Sequence, residues 1–215
     1  MILHHIPGSR SFRVLWLLEE LGQPVDLRIW SITDRALRSP EFRALSPAGR
    51  IPALEIEGQS IFESGAIVQY LTERAGRLAP PPGTPERGAF LGWVSFAETQ
   101  ANILQNLNFH HIFLRPAEAR SVVMTKLDTK RLEVTMRAME AHLSGRDWLL
   151  DDFSAAECMF GFNIEAMFRF VRAEGFPALS DWAARAKARP AYQRAVEKGG
   201  ATTIYTEAFY ELADG

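Results

Sequence analysis

Apolar residues along this chain repeat with two different periods. A short apolar run from Met1 to Ile6 ends at Pro7-Gly8, after which Val14, Leu15, Leu17, Leu18 and Leu21 recur at helical spacing until Gly22. This predicts strand, turn and helix. Positions Val25 to Trp30 alternate as in a strand, and a polar stretch follows through Ser39-Pro40. Ile51 to Glu57 and Ser60 to Phe62 read as two strands joined across Gly58-Gln59, an antiparallel hairpin. Ser64 opens a further helical pattern with Ile67, Val68 and Leu71 that ends near Gly76. The first part is thus βαβ followed by ββα.

Proline and glycine crowd into residues 79–85, Ala-Pro-Pro-Pro-Gly-Thr-Pro, a stretch that can hold neither a helix nor a sheet interior. It divides the chain into residues 1–78, a linker over 79–85, and residues 86–215. In the last of these, helical periodicity recurs over Glu86 to Leu114, Ala117 to Leu143, Ser154 to Val171 and Leu179 to Lys187, with no convincing strand. The expected fold class is α/β plus all-α.

Composition narrows the function more than the fold. A chain of 215 residues, 47% hydrophobic and 23% charged, buries a core without metal or disulfide staples. With 24 basic against 26 acidic residues there is no positive excess to drive nucleic-acid or anionic-membrane binding. The single cysteine, Cys158, forms no internal disulfide, no Cys-x-x-Cys pair and no multi-thiolate zinc site, and no metal-ligand spacing is present. The N-terminus lacks a basic segment leading into a long apolar core, and no uncharged apolar run reaches bilayer length, so a cytoplasmic protein is expected.

Three fragments carry candidate chemistry. In the run Leu45 to Leu54, Pro52 stands at a strand start, where its missing N–H is tolerated at an edge. A cis Ile51-Pro52 bond would free the N–H and C=O of Ile51 for an extended peptide ligand, whereas the fragment alone reads as an ordinary trans proline, cis being a small minority. Glu63-Ser64 meets a helix start. Ser64 with the first backbone N–H groups suits a carboxylate and Glu63 an ammonium, or else Ser64 caps the helix and Glu63 favours its dipole. Ser11 stands near the first helix start, either as a simple N-cap or, with Arg10, favouring an anion there.

Taken together, Ser9-Arg10-Ser11-x-Arg13-x-x-Trp16-Leu17-Leu18-Glu19-Glu20-Leu21-Gly22, then Ser46-Pro47-x-Gly49-Arg50-Ile51-Pro52, then Glu63-Ser64-x-Ala66-Ile67, resemble the glutathione transferases, and most of all the bacterial and fungal branch with a Ser-Arg-Ser helix start. The resemblance implies a thioredoxin-like first domain, an all-helical second domain and a homodimer. It implies that Ile51 and a cis Pro52 hold the cysteinyl backbone of glutathione, Glu63 and Ser64 its γ-glutamyl end, and that Arg50 lies near the glycyl carboxylate. Ser9 or Ser11 would donate to the glutathione sulfur. No cysteine lies in the first domain and His4-His5 stands in the region where some classes use tyrosine, so neither cysteine-type exchange nor tyrosine-type activation fits.

A free thiol titrates near 8.5, so reactivity at neutral pH needs a stabilised thiolate. A serine hydroxyl, the helix start and Arg10 each favour the anion. In the second part, Asn102, Asn106, Phe109, His110 and Phe113 share one helix face and are candidates to line an acceptor pocket; His110 and His111 read as packed or solvated rather than catalytic. Ser154 and Glu157 form a capping box, and Cys158 reads as a buried small hydrophobe. The expected function is stabilisation of the glutathione thiolate for addition to, or substitution on, a small, largely apolar electrophile, with glutathione-dependent peroxide reduction as a close variant. A noncatalytic glutathione-binding or interaction protein that keeps the fold is the alternative.

Overall fold

The computed structural model describes residues 1–212. The first apolar run forms β1 (Ile2–His5), with Leu3, His4 and His5 buried, and leads through the Pro7-Gly8 turn into α1 (Ser11–Leu21). Gly22 ends that helix in the left-handed conformation at φ 63°, its N–H returning to the carbonyls of Glu19 and Leu18. There follow β2 (Asp26–Ile29), α2 (Pro40–Leu45), β3 (Ala53–Ile56), β4 (Gln59–Phe62) and α3 (Ser64–Ala75). The sheet order is β2-β1-β3-β4, with β1 and β2 parallel and the other pairs antiparallel, a thioredoxin-like arrangement. β3 is therefore an inner strand, and Pro52 lies one residue outside it rather than at a sheet edge. The short α2 was not visible as a helical pattern because only Phe42 of its six residues is buried.

Beyond the proline-rich stretch come α4 (Pro85–Asn108), a wide π turn over Phe109–Phe113, and α5 (Val122–Leu143). The expected single helix over 154–171 is broken into α6 (Ala155–Met159) and α7 (Gly161–Ala166) with a further short turn. Gly161 marks the break and allows close approach to α1, since a Cβ there would lie 2.9 Å from the Phe12 ring and 3.2 Å from that of Trp16. α8 (Pro177–Lys187) agrees with the pattern, whereas α9 (Pro190–Gly199) escaped it. Its buried stripe of Ala191, Tyr192, Ala195 and Gly199 is mostly small residues that hydropathy barely registers.

α1 joins the two parts. Its apolar stripe packs with β1 and α3, and its other side with α6, α7 and α9, so Ser11, Arg13 and Trp16 are buried as well as the leucines. The core accordingly runs without interruption from Leu3 and Leu54 through Trp16 to Phe160 and Trp182. Among the described residues no helix is long and apolar enough to cross a membrane.

Candidate functional site

Sheet register assembles the candidate residues. His4 lies opposite Ala53, and Ala53 opposite Phe62, so the exit of β1, the entry of β3 and the exit of β4 share one end of the sheet. The segments that emerge there carry Ser9-Arg10-Ser11, Arg50-Ile51-Pro52 and Glu63-Ser64, and α1 and α3 both begin there. The Ile51-Pro52 bond is cis, as the resemblance implies and unlike the trans bond suggested by the fragment alone.

The serines differ sharply. Ser11 is the first residue of α1, with Arg10 at the cap position, so Ser11 is not the N-cap. Its hydroxyl lies 2.8 Å from Nδ1 of His5, while Nε2 of the same ring lies 3.0 Å from the carbonyl oxygen of Gly199. A carbonyl only accepts, so Nε2 carries the proton, Nδ1 is the lone pair, and Ser11 donates to it. Burial pushes the His5 pKa down to about 4 against the Gly199 bond, which keeps the ring neutral near pH 7. Ser11 Oγ also accepts from the N–H of Ile6 at 3.2 Å. Ser9 is half-buried; its Oγ accepts from the N–H of Ser11 at 3.3 Å and, because the Ser11 proton goes to His5, donates to Ser11 Oγ across 2.8 Å, so its proton must leave Ser11 to reach a ligand.

Ser64 is buried and does not cap α3 with its side chain. Its Oγ accepts from Nη1 of Arg13 at 3.0 Å, and because guanidinium only donates, the Ser64 proton is free for a ligand. Arg13 is fully buried; its remaining bonds go to Glu98, to Asn163 Oδ1 at 3.1 Å and to the carbonyl of Ala97 at 3.2 Å. Burial lowers its pKa to about 10 against the pull of Glu98, so it stays charged at neutral pH. Arg13 was the residue sequence reasoning left without a role, and the signal was a guanidinium inside an otherwise apolar helix. Glu63, exposed, holds φ 66° and ψ 118°, a conformation that costs a side-chain-bearing residue about 1–3 kcal/mol.

Charge of both signs borders this end of the sheet. Arg10 pairs with Glu98 at 2.9 Å and donates to Asn102 Oδ1 at 3.0 Å. Burial holds its guanidinium below the ordinary value; Glu98 and Glu63 oppose that and Arg50 adds to it, so these charges sense one another. Arg50 itself is exposed. Two cations and two carboxylates around the ends of two helices suit a zwitterionic peptide with separate carboxylates.

Beside Ser9 lies a cavity of 210 Å³ walled by Phe12, Phe162, Glu165, Tyr192 and Tyr205. Asn106, Phe109, His110 and Phe113 do not line it. Phe109 and Phe113 form an edge-to-face pair at 5.9 Å in the π turn and are largely exposed, as is Asn106; His110 is half-buried. Instead, the residues after α9 supply a wall that the sequence patterns gave no sign of. A larger cavity of 570 Å³ lies under the linker, lined by Leu78, Trp93, His142, Arg146 and Phe153, away from every residue above. Cys158 is fully buried, and burial pushes its thiol well above the usual range, so it is unreactive. The Ser154–Glu157 capping box is present. Among the described residues no group of three or more His, Cys, Asp or Glu side chains gathers to hold a metal.

Residues 3–82 match the family model described as glutathione S-transferase, N-terminal domain. The disulfide-bond oxidoreductase YfcG of Escherichia coli is 30% identical over 91% of this chain and 94% of its own. Glutathione S-transferase 3 of Schizosaccharomyces pombe is 26% identical over 92% of this chain and 87% of its own. Among solved structures, a glutathione transferase from Burkholderia graminis with two glutathione molecules bound per subunit superposes with a TM-score of 0.83 at 26% identity, covering 91% of this chain and 87% of that one.

Proposed function

This chain belongs to the glutathione transferase family, and we propose that it binds glutathione at the end of the sheet where α1 and α3 begin and stabilises the glutathione thiolate for attack on an electrophile. The observation that carries the proposal is the convergence there of Ser9, Arg10, cis Pro52, Glu63 and Ser64. Glu63 would take the γ-glutamyl ammonium and Ser64, with the first N–H groups of α3, its carboxylate. Ile51 and Pro52 would align the cysteinyl backbone, and Arg50 the glycyl carboxylate.

Ser9 is the thiolate donor in this reading, because the Ser11 proton is already given to His5. A hydrogen bond that exists to the anion and not to the thiol lowers the thiol pKa, and Arg10 and the start of α1 act in the same sense. The sulfur attacks and forms the new C–S bond while the acceptor's leaving group departs with the pair of the broken bond or, in an addition, while a π pair moves off the attacked carbon; no protein nucleophile takes part. Residues 1–78 serve as the glutathione-binding unit and 86–215 as the unit that completes the acceptor pocket, in a cytoplasmic homodimer.

Conjugation of glutathione to a generic electrophile, read together with calorimetric glutathione affinity, tests the reading. Turnover with binding supports it, binding without turnover assigns the chain to the noncatalytic alternative, and neither would remove it. Peroxide consumption coupled to glutathione oxidation tests the peroxidase variant separately.

A further inference from the structure

The larger cavity, 570 Å³ under the linker, takes no part in the glutathione reading. Small-molecule sites occupy roughly 300–1,000 Å³, so this one has the room of a binding cleft. Its frame is tied on two sides. Leu78 holds a left-handed φ of 65°, and its carbonyl accepts from the N–H of Ala155 at 2.7 Å, which fastens the linker to the start of α6. On α5, Nε2 of His142 lies 2.9 Å from the carbonyl oxygen of Leu149. A carbonyl only accepts, so Nε2 carries the proton, and in the neutral ring a lone pair remains on Nδ1.

Aromatic rings and negative charge share the walls. The Trp93 and His142 rings lie 4.6 Å apart between centroids, and Phe153 adds a further ring. Three carboxylates, of Glu86, Asp151 and Asp152, line the cleft against one guanidinium, that of Arg146, which lies 3.6 Å from Asp151. Arg87, next to Glu86 in sequence, is held elsewhere: its Nη1 donates to the carbonyl of Pro80 at 3.2 Å and its Nη2 to Glu73 at 2.8 Å. Among the described residues neither Glu86 nor Asp152 has a cationic partner.

We infer that this cleft is a binding site, separate from that of glutathione, for an organic ammonium ion carrying an aromatic body. The indole face of Trp93 attracts a cation, Glu86 and Asp152 take the ammonium charge, and His142 Nδ1 is a further acceptor. An anion of the same shape would meet uncompensated carboxylates, so the sign of the charge is what the cleft selects. Occupancy neither needs nor blocks glutathione, because Ser9, Arg10, Ile51, Pro52, Glu63 and Ser64 do not line the cleft.

The test uses 9-aminoacridine, a fluorescent aromatic cation at neutral pH, with 9-anthracenecarboxylate as the anion of matching ring size. Fluorescence anisotropy on the full chain should show the cation binding at least tenfold more tightly than the anion. Glu86→Gln with Asp152→Asn, both exposed and outside the glutathione site, should weaken the cation at least tenfold and leave glutathione affinity unchanged. Trp93→Leu should weaken it as well. Saturating S-hexylglutathione should leave the affinity for the cation as it was. A cation that bound no more tightly than the anion, an undiminished affinity in the folded double variant, or displacement by S-hexylglutathione would each overturn the inference. Glutathione affinity is read on the same samples by calorimetry, and its absence would remove the glutathione reading without touching this one.

Discussion

The hydroxyl of Ser11 donates to Nδ1 of His5 across 2.8 Å, and because the far side of that ring is tied to Gly199, the direction of the bond is fixed. This separates two serines that stand two residues apart and that the sequence leaves interchangeable. Ser9→Ala should raise the pKa of bound glutathione by about one unit, roughly 1.4 kcal/mol. Ser11→Ala should mainly cost stability, about 1–3 kcal/mol, because it orphans a buried imidazole nitrogen. Thiolate absorbance titration of the complex and urea denaturation check the two arms; a thiol pKa that followed Ser11 and not Ser9 would reverse the assignment.

The buried His5 predicts an acid-side loss of stability. Its pKa is about 4 in the folded chain against an ordinary 6.5, so between these values the unfolded state binds a proton that the folded state refuses. Stability is whole above pH 6.5 and falls as pH drops toward 4, by up to about 3 kcal/mol from this residue. His5→Asn should flatten that part of the curve in urea melts from pH 7 to 4. A slope equal to that of the parent would show that His5 is not its source.

Glu63 trades conformation against ligand. Glu63→Gly should stabilise the fold by about 1 kcal/mol by relieving φ 66°, yet weaken glutathione binding by roughly 1–3 kcal/mol through loss of the carboxylate. Ser64→Ala should weaken binding similarly with the fold intact. Calorimetry on folded variants decides, and unchanged affinity in both would place the γ-glutamyl end elsewhere.

Arg13→Met should destabilise the chain by about 3 kcal/mol, since it strips a donor from Ser64, Asn163 and Glu98 at once. Glutathione affinity should fall as well because Ser64 loses the bond that sets its rotamer. Urea midpoints would show the first effect; an unaltered midpoint would mean that the buried charge is as costly as its bonds are favourable.

For the proposed homodimer, light scattering at micromolar concentration should give twice the 24.2 kDa of one chain. Exposed apolar side chains on both parts, Phe62 at 44% and Val134 at 59%, are its candidate contacts. Phe62→Asp with Val134→Asp should shift the particle to monomer; a parent protein that is already monomeric would end the proposal.

Much of the architecture was legible because periodicity is a local property. β1, α1, the β3–β4 hairpin and α3 follow from which positions repeat at two or at 3.6 residues and where Gly22, Gly58 and Gly76 interrupt them. The short α2 and the small-residue α9 were not legible, since six residues show no period and alanine carries little hydropathy contrast.

By itself, then, the sequence determined the two-part layout and the motifs that carry the family resemblance, since both rest on spacing within short stretches. Tertiary structure alone decided that the Ser11 proton goes to His5, because that depends on His5 meeting Gly199 across 194 residues. It alone placed Arg13 beneath Ser64 and put Tyr205, rather than the Asn106 to Phe113 face, on the wall of the cavity beside Ser9. Hydrogen-bond direction and cavity shape are properties of groups brought together from distant positions, and no local pattern encodes their meeting.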